Sequence, residues 1–209
     1  MRAAERFAGL IVAVGLAIAA LAGIARAEDQ KTPQAVAAPA TDEATGLTFP
    51  SQIGGVAQLK SMDYGRSHNR PDLGYSWSYA APGRLSATVY VYDLGKPTVP
   101  FGATSSEVAG QFQQSLDDIY RAAKLNRYDD LQPFQGPDNC KIGPLTFRCA
   151  TLSAVTAKGN NHVFTAAMVT GYRNHYLKIR IDWAQGSAES QSAKDQFLQA
   201  LGAIIPPGG

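Results

Sequence analysis

Leu85-Ser86-Ala87-Thr88-Val89-Tyr90-Val91-Tyr92 is the stretch on which the fold turns. Leu85, Ala87, Val89 and Val91 fall on one side of an extended chain, and Ser86, Thr88, Tyr90 and Tyr92 on the other. A period of two among β-branched and aromatic residues marks a strand. Just upstream, residues 73–79 alternate as well, with Tyr75, Trp77 and Tyr79 against Gly74, Ser76 and Ser78. Ala81-Pro82-Gly83 lies between the two runs and carries turn chemistry, so the pair is expected to close as an antiparallel hairpin.

The period then changes. Thr104-Ser105-Ser106-Glu107 matches a helix capping box, and Val108, Phe112, Leu116, Ile119 and Ala123 recur every three or four residues as one apolar stripe. Asn126 is expected to end this helix in the left-handed conformation, while Asp117-Asp118 sits on its wet side and Asp129-Asp130 in a loop. Three further strands are expected at 147–156, 162–170 and 176–183, joined through a Gly/Asn turn at 157–161 and a polar turn at 171–175. In the last strand Leu177, Ile179, Ile181 and Trp183 face one way, and Lys178, Arg180 and Asp182 face a wet or loosely covered side. A final helix over about 188–203 carries Ala193, Phe197, Leu201 and Ile204 and stops at Pro206-Pro207. The fold class is therefore α+β: an antiparallel sheet with a long central helix and a C-terminal helix packed on it.

Working outward to the N-terminus, Arg2 and Arg6 precede an uncharged apolar run from Phe7 to Ile24, which closes with Ala25-Arg26-Ala27. This is the pattern of a secretory signal peptide, and cleavage is expected near Ala27. No Cys lies near that point, so a lipid anchor is excluded, and Arg2 and Arg6 are not adjacent as twin-arginine export requires. Residues 28–46, rich in Ala, Pro, Thr and charge, are expected to form a disordered linker. A single domain over 47–205 and a flexible tail over 206–209 complete the expected organisation. The protein is expected to be periplasmic or secreted, with no membrane contact after cleavage.

The formal charge of the whole chain is +2, from 19 basic and 17 acidic residues. Loss of Arg2, Arg6, Arg26 and Glu5 with the signal peptide leaves the mature chain neutral. A neutral domain gives no electrostatic case for nucleic acid as a partner. Cys140 and Cys149 are an even pair in an exported chain and flank a Gly143-Pro144 turn, which reads as a disulfide across a hairpin. With the turn placed at 143–146, Ile142 would face Phe147 and Cys140 would face Cys149.

No catalytic or metal motif is present. There is no G-x-S-x-G, no P-loop ending, and His68, His162 and His175 have no metal-ligand spacing; no cofactor is implied. Two polar segments stand out: residues 63–72, with Arg66, His68 and Arg70, and residues 171–176, with Arg173 and His175. Arg beside Tyr and His is suited to recognising carboxylate, phosphate or sugar groups, although polar loops on small domains are commonly just solvated connections. These five residues are the candidate ligand-binding set, with Lys178 and Arg180 as an alternative contact face.

The element order, together with Ala87-Thr88-Val89-Tyr90-Val91-Tyr92-Asp93-Leu94-Gly95 and residues 171–180 (GYRNHYLKIR), resembles the PsbP/Mog1-like group of small α/β/α sandwiches and uncharacterised exported bacterial proteins. That resemblance implies a noncatalytic role as an assembly factor or binding accessory, with an envelope protein or a small ligand as partner. The competing expectation is an envelope enzyme whose site forms where the 63–72 and 171–176 segments meet, with His68 or His175 beside Asp63 or Asp72. The oligomeric state is left open.

Overall fold

The computed structural model describes residues 41–125, 128–156 and 161–208. The signal peptide, most of the expected linker and Asn126 lie outside the described residues. Over the rest, strands β1 (Thr41–Asp42), β2 (Leu47–Thr48), β3 (Gln52–Ile53) and β4 (Val56–Asp63) come first. Helix α1 (Tyr64–His68) and a 3-10 turn (Pro71–Leu73) follow, then β5 (Tyr75–Ala81), β6 (Leu85–Tyr92) and helix α2 (Ser106–Lys124). Strands β7 (Tyr128–Ile142), β8 (Leu145–Thr156), β9 (His162–Tyr172) and β10 (His175–Ala184) lead to helix α3 (Ala188–Ile204). Eight strands form one sheet in the order β3-β4-β5-β6-β10-β9-β8-β7, every neighbouring pair antiparallel. The fold is α+β, as the alternating runs and the two amphipathic helices require.

The alternation in β6 sorts its side chains between two cores. Val89 and Val91 join Trp77, Tyr79, Leu177 and Ile179 on the face covered by α3, whose Phe197 and Leu201 are fully buried. Tyr92 and Tyr176 lie on the opposite face with Val169, under the Val108, Phe112, Leu116 and Ile119 stripe of α2. Burying each such large apolar side chain contributes about 1.5–3 kcal/mol, so either helix is held far more by packing than by its own propensity. Helix α2 lies over β7, β8 and β9 and covers the β5–β6 part of that face only at Tyr92.

Several expectations need correction. Strand β4 was not expected, nor was β7 beyond the arm of the cysteine hairpin at its end. Val56-Ala57-Gln58-Leu59-Lys60-Ser61-Met62-Asp63 has no clean alternation and shifts register between Gln58 and Lys60. Strand β7 contains Pro133, Gly136 and Pro137 and is bulged at three places, which is tolerable because it is an edge strand. Asp129 and Asp130 lie in β7, not in a loop.

The N-cap of α2 is Ser105, whose hydroxyl accepts from the Val108 N–H, one residue later than the capping box implied. Order also begins before Leu47. Thr41 pairs with Thr48, and the buried Asp42 carboxylate accepts from the Thr45 N–H. Residues 41–46 therefore belong to the folded part and not to the linker.

Cys140 and Cys149 form a disulfide with Cα atoms 6.0 Å apart. The hairpin around it is tighter than expected, because Ile142 pairs with Leu145, Cys140 with Phe147 and Cys149 with Asp138. The two-residue Gly143-Pro144 turn makes the bridge diagonal. Gly143, at φ +57, also meets Gly202 of α3 backbone to backbone; a Cβ on Gly143 would lie 2.2 Å from the Gly202 carbonyl oxygen. The cysteine hairpin is thereby seated directly on α3.

Candidate functional site

The 63–72 segment is not an open loop. Asp63 caps α1 by accepting from the Arg66 N–H at 3.0 Å, and Asn69, at φ 54, ends the helix in the left-handed conformation. Arg66 Nε lies 3.2 Å from the other Asp63 oxygen, which also accepts from the Tyr75 hydroxyl at 2.9 Å. The Arg66 N–H is the main influence holding the Asp63 carboxyl below the ordinary aspartate value; burial opposes it, and the Tyr75 hydroxyl lowers it further. His68 Nδ1 is 2.8 Å from Ser67 Oγ, and its ring lies 5.7 Å from that of Tyr64. Arg70 grips Asp72 with two hydrogen bonds of 2.8 and 2.6 Å.

The 171–176 segment is a two-residue hairpin turn. Arg173 and Asn174 take φ values of 47 and 61, the left-handed pair that matches the twist of flanking strands, so β9 and β10 extend further than expected. Arg173 donates to the Thr45 carbonyl at 2.6 Å and lies 5.3 Å from the Tyr172 ring centroid. His175 Nδ1 sits 2.9 Å from the Arg173 carbonyl.

Both segments occupy the same end of the sheet, since Asp63 pairs with Tyr75, Tyr75 with Val91, and Tyr92 with Tyr176. Three strand spacings, roughly 14 Å, separate β4 from β10 there. The five candidate residues therefore form two local groups, each engaged with its own neighbours. His162 is at the other end of β9, and no described group of His, Cys, Asp or Glu could hold a metal ion.

What the structure does assemble is a cavity of about 280 Å³ between α1, the 3-10 turn and α2, over the part of the sheet that α2 covers only in part. Tyr64 lines it from α1, Leu73 from the 3-10 turn, Tyr90, Tyr92 and Leu94 from β6 and its exit, and Gln111, Gln114 and Asp118 from α2. Lys178 of β10 lines it as well, with its ammonium 4.6 Å from the Tyr90 ring centroid and 5.3 Å from that of Tyr92. Aromatic faces attract a cation at such distances. No carboxylate of the described residues lies within ion-pairing reach of Lys178.

Burial is the main cause that lowers the Lys178 pKa from the ordinary lysine value; Asp118 opposes the shift and Arg180 adds to it. Asp118 Oδ1 accepts from Gln114 Nε2 and Arg121 Nη1, both at 3.0 Å. Gln111 Nε2 donates to the Tyr92 hydroxyl oxygen at 2.9 Å, which leaves the hydroxyl hydrogen to point elsewhere. Burial raises the Tyr92 pKa despite this bond, so the phenol stays protonated and able to donate.

Arg180, the other residue of the expected contact face, is turned into a separate network. Its Nε donates to Thr165 Oγ1 at 3.1 Å and its Nη2 to the Tyr128 hydroxyl at 3.3 Å, while Thr165 and Tyr128 both donate to Asp182. Lys178 and Arg180 share a strand face but not their partners.

Sequence reading named Lys178 only as part of a polar face and did not single out Tyr64, Gln111 or Gln114. Its one usable signal was a lysine alternating with buried apolar residues opposite two tyrosines of β6.

No protein-family model matches the chain, and no curated protein matches it. Among solved structures, the Ran-binding protein Mog1p of Saccharomyces cerevisiae is similar, at 12% identity over 76% of this chain and 82% of that one, with a TM-score of 0.34. A point mutant of Mog1 is similar at 11% identity over the same shares, with a TM-score of 0.32. Both are Mog1 structures, the group that the element order resembles. Likeness of this degree bears on neither ligand nor partner, and the fold rests on the strand order and registers given above.

Proposed function

We propose that this chain is an exported, noncatalytic binding module whose recognition site is the Lys178 cavity. The observation that carries the reading is a half-buried lysine, held against two tyrosine rings with no carboxylate of the described residues within ion-pairing distance, lining a concave site with largely apolar walls. Small-molecule sites combine such walls with a few placed polar groups, and an unpaired cation in a partly desolvated place is costly unless something compensates it. Export is supported by the disulfide, which suits an oxidising compartment; no described helix is long and apolar enough to cross a membrane.

The competing enzyme reading placed its site at His68 or His175, and neither lines this cavity. A direct test is photo-crosslinking in cells from position 94, on the rim, with position 84 at the opposite end of the β5–β6 hairpin as control. A species retained from position 94 and absent from position 84 is expected. Indistinguishable products from the two positions would overturn the assignment of the site.

A further inference from the structure

Resting on the Lys178 cavity as the recognition site, we infer that its ligand is a carboxylate carried on a small apolar body. The donors and the walls point the same way. Lys178 offers a cation with no carboxylate within reach among the described residues, and the Tyr92 hydroxyl, already accepting from Gln111, has its hydrogen available. Both are donors, so the ligand group between them must be an acceptor and, opposite an ammonium, an anion. The nearby acid, Asp118, makes no ion pair with Lys178, and its Oδ1 accepts from Gln114 and Arg121. Leu73, Leu94 and the rings of Tyr64 and Tyr90 supply the apolar enclosure.

Size narrows the choice. About 280 Å³ lies at the lower edge of the usual range for ligand sites, roughly 300–1,000 Å³, which fits one ring or a short branched chain and not a sugar chain or nucleotide. A carboxylate is planar and monoanionic, and a single ammonium matches it. A phosphate, with a second charge, would be better matched by a guanidinium fork, and no arginine is among the lining residues. Such a carboxylate comes either from a free aromatic or branched acid or from the C-terminus of a peptide ending in an apolar residue.

Calorimetric titration of the purified mature protein separates these cases. The probes are 3-phenylpropionate, its primary amide, phenethylamine, and a tetrapeptide ending in phenylalanine with a free or an amidated C-terminus. At least one carboxylate probe is expected to bind, with its amide at least tenfold weaker and the amine not binding. Lys178→Met is expected to weaken the carboxylate by roughly tenfold or more, the usual consequence of losing a hydrogen bond to a charged group. Whether the free acid or the peptide binds better assigns the source.

Equal binding of acid and amide, no saturation by either carboxylate at millimolar concentration, or full affinity in Lys178→Met would overturn the inference. Were the probes to fail while position 94 still captured a species in cells, the carboxylate class would fall and the cavity reading would stand. Loss of both results would remove the cavity reading as well.

Discussion

The Lys178 ammonium stands 4.6 Å from the centre of the Tyr90 ring, across a paired register in which Lys178 of β10 lies directly opposite Tyr90 of β6. Two adjacent central strands thus place a cation and an aromatic face together on the side of the sheet that α2 covers only in part.

Because burial lowers the Lys178 pKa, the protonated lysine is less favourable in the folded chain than in the unfolded one. That cost is fully present below the folded-state value and disappears as pH rises through it towards the ordinary value of 10.5. Lys178→Met is therefore expected to stabilise the protein near neutral pH by roughly 1 kcal/mol, a figure kept small because the side chain is only half-buried. Urea denaturation at pH 7 and pH 10 checks this, and the advantage of the variant should shrink at the higher pH. A variant less stable than the parent at pH 7 would contradict it.

The backbone contact between Gly143 and Gly202 leaves no room for a methyl group on either side. Gly143→Ala adds a left-handed backbone penalty to the collision, so a loss of about 2–3 kcal/mol is expected. For a folded part of this size, that lowers the melting temperature by roughly 4–12 °C. A melting temperature unchanged within 2 °C or so would mean that the hairpin is not seated on α3.

Cys140 and Cys149 are nine residues apart in sequence. Closing so short a loop removes little chain entropy from the unfolded state, about 2–3 kcal/mol in the loop-closure account. The double Cys→Ser variant should stay folded at 25 °C and lose that amount in chemical denaturation, and reduction of the parent protein should give the same shift. Global unfolding on reduction would show that the bridge holds more than the β7–β8 hairpin.

Arg173 binds the Thr45 carbonyl and so fastens the β1–β2 hairpin to the end of the sheet. Arg173→Ala is expected to raise amide hydrogen exchange across 42–48 by tenfold or more, in line with the loss of a charge-assisted bond, while β9 and β10 keep their protection. Equal exchange in both proteins would argue that the hairpin is held by Leu47 and Phe49 packing alone.

The Asp63 carboxylate caps α1 and has its pKa held below the ordinary value of 3.8. Its stabilising effect is complete above that value and is lost as pH falls through the lower, folded-state value. Asp63→Ala should cost about 1 kcal/mol at pH 7, as for other N-caps, and the cost should vanish in strong acid. A difference that does not depend on pH between 7 and 2 would assign the effect to the side chain's packing instead.

Residues 75–92 declared the central hairpin because their alternation is local, and the Val108–Ile119 stripe declared α2 for the same reason. One face of each element is buried, and burial imposes a period that sequence displays directly. The cysteine bridge was legible too, although its register was not, since the length of a turn is settled by how the two strands pack on α3. Strand β7 escaped notice because an edge strand is paired on one side only and tolerates prolines, bulges and polar residues, and β4 because only Val56 and Ala57 pair with the two-residue β3 and a register shift blurs its period.

The candidate site was legible only in pieces. Sequence drew attention to Arg66, His68, Arg70, Arg173 and His175 as clusters of polar chemistry, yet Arg66, His68, Arg70 and His175 find partners within a few residues and Arg173 binds the Thr45 carbonyl of the β1–β2 hairpin. The Lys178 cavity takes its lining from five separate parts of the chain, between Tyr64 and Lys178. Local sequence determined which residues form strands and helices and which face of each is apolar. Only tertiary structure decided that β6 and β10 would be neighbours and that α2 would cover them only in part. The reason is physical: periodicity records burial along one element, whereas a cavity is the space left where several elements fail to meet.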